Sequence, residues 1–134
     1  MQILHEFGWL IIVVTNQPDV SRGKAKINDI KTINKYLKNN FPILALYTCY
    51  HDKIDNCNCR KPATGFFLKA KKRYKIDLKK SFMIGDRWSD IEAGRKAGCR
   101  TIFIDYNYNE KKPNSFDYKV NSLYEATTKI LKNN

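Results

Sequence analysis

No apolar run in this 134-residue chain approaches the ~18–20 residues of a membrane-spanning helix; the longest, Trp9 to Val14, has the length of a strand. No secretory leader is expected, because Met1 to Gly8 carries His5 and Glu6 and no basic start. Acidic residues are scarce, 13 against 25 Lys+Arg, which leaves a formal net charge of +12. There is no internal repeat and no domain linker, and Asn107 to Ser115 reads only as a polar loop. What is present argues against disorder: 43% hydrophobic and 13% aromatic residues supply the apolar surface that a disordered tail lacks. A chain of ~150 residues can bury roughly 70% of its unfolded surface. The expectation is one soluble, intracellular (cytoplasmic) domain over residues 1–134, with no membrane partner.

A sequence pI near 9.6 fits nucleic acid, anionic membranes or phosphorylated substrates. The excess is mostly Lys, spread over Lys24–Lys38, Lys69–Lys80 and Lys129–Lys132 and accompanied by many Asn. This reads as a drift in composition on solvated faces, and no nucleic-acid partner is expected.

Strands alternate with helices along the chain. Leu10 to Thr15 is a β-branched run of the kind buried on both faces of a parallel sheet. Gly8 before it suits the end of a helix over Met1 to Phe7. Ile27, Ile30, Ile33 and Leu37 recur at helical spacing, to about Asn39. Ile43 to Thr48 is a second strand, followed by a polar, cysteine-rich loop, Cys49 to Pro62. Thr64 can cap a helix with an apolar face of Phe67, Ala70 and Tyr74. Ser81 to Ile84 is a third strand, and Ser89 is expected to cap a short helix stopping at Gly98. Thr101 to Asp105 and Tyr118 to Val120 are further strands, and Leu123 to Leu131 is an amphipathic helix. The pattern predicts an α/β fold, a Rossmann-like, doubly wound parallel sheet.

Such sheets bind ligands at the carboxyl ends of their strands, where the unusual residues lie. The first strand runs into Thr15-Asn16-Gln17-Pro18-Asp19-Val20-Ser21-Arg22-Gly23, whose hydroxyl, amide and loop N–H groups could hold a phosphate with Arg22 supplying charge. An ordinary strand-to-loop turn is the plain alternative. The second strand ends in Cys49-Tyr50-His51, followed by Cys57-Asn58-Cys59: C-x-H-x5-C-x-C, four soft ligands suited to tetrahedral Zn²⁺. Zinc would fold a loop that has almost no apolar residues, and with four ligands filled the site would be structural. The alternative is a set of unrelated reduced thiols. Cys99 reads as a core thiol. Arg60-Lys61-Pro62 follow directly, so zinc would fix two cations beside the phosphate-holding turn; otherwise they are surface charge. The third strand ends in Gly85-Asp86-Arg87-Trp88-Ser89-Asp90, where Asp86 could meet Mg²⁺ directly and Asp90 indirectly. Asp90 could equally be a helix N-terminal acid.

TNQPDVSRG, the C-x-H…C-x-C-RKP loop and IGDRWSDIEAGRKAG, in that order, resemble the second, third and fourth motifs of the haloacid dehalogenase superfamily. More narrowly they resemble its zinc-loop branch, which contains heptose 1,7-bisphosphate and histidinol-phosphate phosphatases. The resemblance covers nearly the whole chain and implies Mg²⁺-dependent hydrolysis of a small phosphorylated sugar. By that likeness Thr15 and Asn16 bind the phosphoryl group, Lys61 neutralises its charge, and Arg60 and Arg87 contact substrate. Asp86 would ligate Mg²⁺, and Cys49, His51, Cys57 and Cys59 would hold zinc (loop 49–59).

The family's first motif, D-x-D-x-[TV], is missing: no two of Asp19, Asp29, Asp52, Asp55, Asp77, Asp86, Asp90, Asp105 and Asp117 are two apart. In that motif one Asp attacks phosphorus and the other transfers protons. Gln17-Pro18-Asp19 also departs from the small residue and Gly that usually follow Gln. The missing strand is the family's central one, so the first and third strands are expected to keep unpaired apolar edges or to pair directly. The expectation is an N-terminally truncated or split domain, completed upstream or in trans. Rival readings are a polynucleotide 3′-phosphatase, an inactive zinc-stapled phosphate-binding module and, last, a zinc-finger-like nucleic-acid binder.

Overall fold

A computed structural model describes residues 1–134. Five helices and five strands alternate: α1 (Gln2–Glu6), β1 (Ile12–Asn16), α2 (Ile27–Asn40), β2 (Ala45–Cys49), α3 (Gly65–Tyr74), β3 (Phe82–Gly85), α4 (Trp88–Ala97), β4 (Arg100–Ile104), β5 (Tyr118–Val120) and α5 (Leu123–Lys132). Every strand pairing is parallel, as the α/β reading requires. The chain divides into two compact units, Met1–Arg60 and Lys61–Asn134. No helix is long and apolar enough to cross a membrane.

In the first unit β1 pairs with β2, Ile12 opposite Ala45 through Asn16 opposite Cys49. That register sets the phosphate-loop candidates Thr15 and Asn16 level with Thr48 and Cys49, the start of the cysteine-rich loop. Full burial of the LIIVVT run is not observed: Leu10 is 56% exposed and all of β1 is half-buried. The reason is that β1 has a ladder on one edge only. Helix α2 keeps the expected apolar stripe, yet none of its residues is fully buried. Asn34 Nδ2 ties it to β2 by donating to Thr48 Oγ1 at 2.9 Å.

The second unit is a three-stranded sheet, β3-β4-β5, so the expected single sheet is realised as two. Its core is well formed. Ile91 and Ala93 of α4, Ile102 of β4 and Ala126 of α5 are fully buried, and Ile130 of α5 nearly so. An isoleucine taken fully out of water contributes roughly 1.5–3 kcal/mol. The edge of β3 away from β4 carries no ladder.

Of the two expected caps, one stands in place without its hydrogen bond and the other is displaced. Thr64 stands at the start of α3 without a capping hydrogen bond. Ser89 lies inside α4, whose N-cap is Arg87; the exposed backbone N–H of Arg87 is instead satisfied by the Asp90 carboxylate at 3.1 Å. An acid one turn in can reach back where a serine at the second position cannot. At the other end Gly98 takes φ +88°, closing α4 in the left-handed conformation that glycine tolerates.

Asp105, just past β4, accepts from Lys112 Nζ at 2.8 Å and from the Asn107 N–H at 2.9 Å. The Lys112 contact, helped by the Asn107 N–H, holds its carboxyl down at about 2. A depressed acid stabilises the fold above its unfolded pKa of about 3.9, and that contribution is lost as pH falls from about 4 to about 2. Lys112→Met should therefore move the Asp105 titration, followed by carboxyl NMR, upward; an unchanged midpoint refutes the assignment. A Cβ at Gly94 would lie 2.4 Å from Met83 Cβ, so α4 rests on β3 with no space between them. Gly94→Ala is expected to cost about 1–3 kcal/mol in urea unfolding, as overpacked cores do.

Candidate functional site

The cysteine-rich loop gathers its four candidate ligands. Cys49 Sγ, His51 Nδ1, Cys57 Sγ and Cys59 Sγ all lie within 4.8 Å of one another. The separations are 3.6 Å for Cys49–Cys57, 3.5 Å for Cys57–Cys59, 2.9 Å for Cys49–Cys59, 3.6 Å for Cys49–His51 and 3.3 Å for His51–Cys59. A tetrahedral ion with sulfur at about 2.3 Å and nitrogen at about 2.0–2.1 Å spaces its ligands about 3.5–3.8 Å apart; the donor types and most separations suit such an ion, and the Cys49–Cys59 pair would open to admit it. All three thiols are free of disulfides. Cys49 anchors the set from the end of β2, where it is fully buried.

Without a cation these thiols share protons unequally. Burial, then hydrogen bonding to Cys59, pushes Cys49 up to about 12. Burial also acts on Cys57, but the N–H groups of Arg60 and Cys59 favour its thiolate and bring it to about 7. A bound ion would replace this arrangement by holding all three as thiolates. The loop has no apolar anchor of its own: Ile54, its aliphatic residue, is 88% exposed.

Arg22 is not where a phosphate ligand would be left open. Its Nε and Nη2 donate to Asp52 Oδ2 and Oδ1 at 2.7 and 2.8 Å, and Nη1 reaches Asp19 at 3.4 Å. That fork holds the Asp52 carboxyl down at about 2. Thr15 Oγ1 accepts from Gln17 Nε2 at 3.2 Å, and the Gln17 N–H donates to the Cys49 carbonyl at 2.7 Å. Arg60 has one guanidinium nitrogen, Nη1, that is buried without a hydrogen-bond partner. An orphaned buried cationic donor is costly, and an anion would relieve it.

In the second unit Lys61 Nζ meets Asp90 Oδ1 at 2.6 Å, with the side chains only 10% and 9% exposed. Asp90 Oδ2 is occupied by the Arg87 N–H. Each oxygen thus has a partner, and Asp90 holds both Lys61 and the α4 terminus. Gly85 permits this: a Cβ there would sit 2.2 Å from Asp90 Cβ. The Lys61–Pro62 peptide is cis. Asp86 keeps one carboxylate oxygen outside its hydrogen bond from Tyr108 Oη, which reaches Oδ2 at 2.7 Å. One carboxylate, completed by waters and a substrate phosphate, is a common way for proteins to bind Mg²⁺.

The loop read only as polar, Asn107 to Ser115, is in fact clasped to the exit of β3. Besides the Tyr108 contact, Glu110 pairs with Arg87 (3.3 Å to Nε and 2.5 Å to Nη2), and Lys111 Nζ stands 3.6 Å over the Trp88 ring. Trp88, Tyr108, Glu110 and Lys111, with Phe103, Asp105 and Lys112, line a small open cavity at Asp86. No spacing rule announces such contacts between residues 22 or 23 apart. Gly85 was equally silent, although Gly directly before a strand-end Asp is a hint of close approach.

A sequence model of the HAD-hydrolase-like family matches residues 58–126. The D-glycero-alpha-D-manno-heptose-1,7-bisphosphate 7-phosphatase of Campylobacter jejuni is 34% identical over 122 residues, 87% of this chain and 69% of that enzyme.

The chain belongs to the HAD-hydrolase-like family.

The corresponding beta-anomer enzyme of Helicobacter pylori is 33% identical over 115 residues, 81% of this HAD-like chain and 66% of its relative. The chain thus spans about two thirds of the length of these curated relatives. Among solved structures, a D,D-heptose 1,7-bisphosphate phosphatase from B. bronchiseptica, complexed with magnesium and phosphate, superposes with TM-score 0.83 at 23% identity, over 98% of this chain and 79% of that one. That likeness shows a shared HAD-like fold.

Cys99 lies apart from the metal ligands, buried at the head of β4, and burial pushes its thiol up to about 11. With Zn²⁺ added, all four cysteines are expected to resist alkylation at pH 7. A chelator should expose Cys57 first and then Cys59, while Cys99 stays slow until the chain unfolds. Mass spectrometry of the labelled peptides reads the order, and equal rates at Cys57 and Cys99 contradict the assignment.

Proposed function

We propose that residues 1–134 form the phosphate- and metal-binding part of one HAD-type phosphatase domain whose substrate is a small phosphorylated sugar, with heptose 1,7-bisphosphate the favoured case. The observation that carries this reading is the buried Lys61–Asp90 pair set beside Asp86 at the end of β3. A lysine held at 2.6 Å by a dedicated carboxylate is a preorganised cation whose charge needs no solvent rearrangement to meet a phosphoryl group. The identities of the Campylobacter and Helicobacter relatives support the substrate class.

Thr15 and Asn16 offer a hydroxyl and an amide to phosphoryl oxygens, and Arg60 Nη1 is a donor awaiting an acceptor. Arg87 would have to leave Glu110 to touch substrate. Asp86 is the residue of this chain that would hold Mg²⁺, whose chemistry is to neutralise charge on the transferring phosphoryl group. Zn²⁺ fits the Cys49, His51, Cys57, Cys59 set as a structural ion. The attacking and proton-transferring aspartates of the family are not among the nine aspartates of this sequence. Its residues therefore bind and position, and turnover requires a D-x-D segment. The same absence favours, as a second reading, a zinc-stapled phosphate binder without turnover.

Phosphate release from heptose 1,7-bisphosphate with Mg²⁺ should be measured for this chain alone and with a D-x-D strand joined ahead of it. Hydrolysis is expected only in the joined protein. Lys61→Ala should lower its kcat by roughly 10²- to 10³-fold, the loss typical of one electrostatic donor. Faster hydrolysis of 3′-phosphorylated DNA would replace the sugar reading. Phosphate binding without hydrolysis in either protein would favour the second one.

A further inference from the structure

Arg22 is bound by the metal loop, and the connection has a direction. Asp52 and Asp55 flank a 3-10 turn, Lys53–Asp55, that lies between the candidate ligands His51 and Cys57. The turn is closed by its own polar groups: the Asp52 N–H donates to Asp55 Oδ2 at 2.6 Å and the Lys53 N–H to Asp52 Oδ1 at 2.7 Å. Asn56, the one residue between the turn and Cys57, takes the left-handed φ of +48°. With Ile54 facing solvent, the turn has no apolar anchor of its own; its two ends run into the candidate ligands His51 and Cys57.

Onto this turn the loop after β1 is tied twice. Arg22 forks onto Asp52 through two donors, and Ser21 Oγ donates to Asp55 Oδ2 at 2.9 Å. At its start the Gln17 N–H donates to the Cys49 carbonyl at 2.7 Å, and the rest of the loop is secured only locally. The Arg22 N–H donates to the Pro18 carbonyl at 3.0 Å, and the Lys24 and Ala25 N–H groups share the Asp19 carbonyl at 2.8 and 3.0 Å. With Asp19 and Asp52 both on its guanidinium, Arg22 stands in a locally negative setting that repels a phosphate. A planar fork matched to a carboxylate is also the arrangement in which arginine fixes geometry most strictly.

We propose that Arg22 is a positioning residue that makes the conformation of the loop 17–25 depend on metal occupancy of the Cys49–Cys59 loop. The ion shapes the turn, the turn presents Asp52 and Asp55, and these two carboxylates hold Arg22 and Ser21. Thr15 and Asn16 open directly into the held loop, so the metal sets the geometry of the phosphate-binding end of β1. That last consequence rests on the phosphate reading above, whereas the coupling itself does not.

Amide hydrogen exchange on the full chain, with Zn²⁺ or after chelation, tests the coupling without any turnover. In the zinc-loaded chain the Arg22, Lys24 and Ala25 amides should exchange slowly. Stripping the metal should speed them on the order of tenfold, the scale of one released charge-assisted fork. In Arg22→Ala one Zn²⁺ should still bind per chain and β4 should stay protected, but the amides of residues 22, 24 and 25 should be fast and respond little to chelation. Arg22→Lys keeps the charge without the fork and should fall between the two. Ser21→Ala, a milder change that leaves the fork in place, should retain most of the response to metal. Wild-type amides 17–25 that ignore chelation would overturn the proposal. So would an Arg22→Ala chain in which the amides of residues 22, 24 and 25 still respond to metal as the wild type does. Failure of phosphatase activity would touch neither result.

Discussion

One carboxylate organises the second unit. Asp90 gives one oxygen to Lys61 and the other to the first free N–H of α4, and its Cβ stands where only a glycine at position 85 leaves space. Taking such a pair out of water costs several kcal/mol per ion, which is recovered only with close geometry and satisfied lone pairs. Both conditions are met. The result is a lysine whose position is set by the start of a helix, which is in turn set by the end of β3. The ion pair, the helix cap and the strand-to-helix turn are one construction, and Asp86 and Arg87 lie within it.

The first unit solves the same problem with less apolar material. Its helix α2 buries no residue completely, and β1 is half-buried throughout. Order in the loop after β2 comes from polar chemistry: three thiols and an imidazole gathered on Cys49, and two aspartates closing a turn between them. Metal ligation can supply folding free energy where a small segment cannot bury enough surface. The fork from Arg22 carries that order across to the loop leaving β1. The excess of Lys takes little part in these arrangements, which rely on Lys61 and on the arginines 22, 60 and 87.

Family membership explains why these particular elements recur together, and the arrangement of the strands shows what the chain does without. Its nine aspartates contain no D-x-D pair, and β1 and β3 each carry a ladder on one edge. The groups proposed above to bind and orient a phosphate are thus present in a sequence without a D-x-D pair. The loop 106–116 adds a local feature. Tyr108, Glu110 and Lys111 engage Asp86, Arg87 and Trp88 in sequence, so the Arg87 guanidinium is already paired with Glu110.

The sequence by itself determined the order of elements, the parallel α/β class and the cluster of candidate metal ligands, because each is written in short-range patterns. β-branched runs specify buried strands, helical spacing specifies faces, and four soft ligands in eleven residues specify a tetrahedral site. It also showed, by simple inspection of nine positions, that the nucleophile pair is missing. Tertiary structure decided the partners of the charged side chains. Arg22 pairs with Asp52 thirty residues away, Asp90 pairs with Lys61, and the cap of α4 passed from Ser89 to Asp90. A long charged side chain can reach several acceptors within its radius. Which one it takes depends on burial and on the backbone N–H groups nearby, and neither is encoded in local spacing.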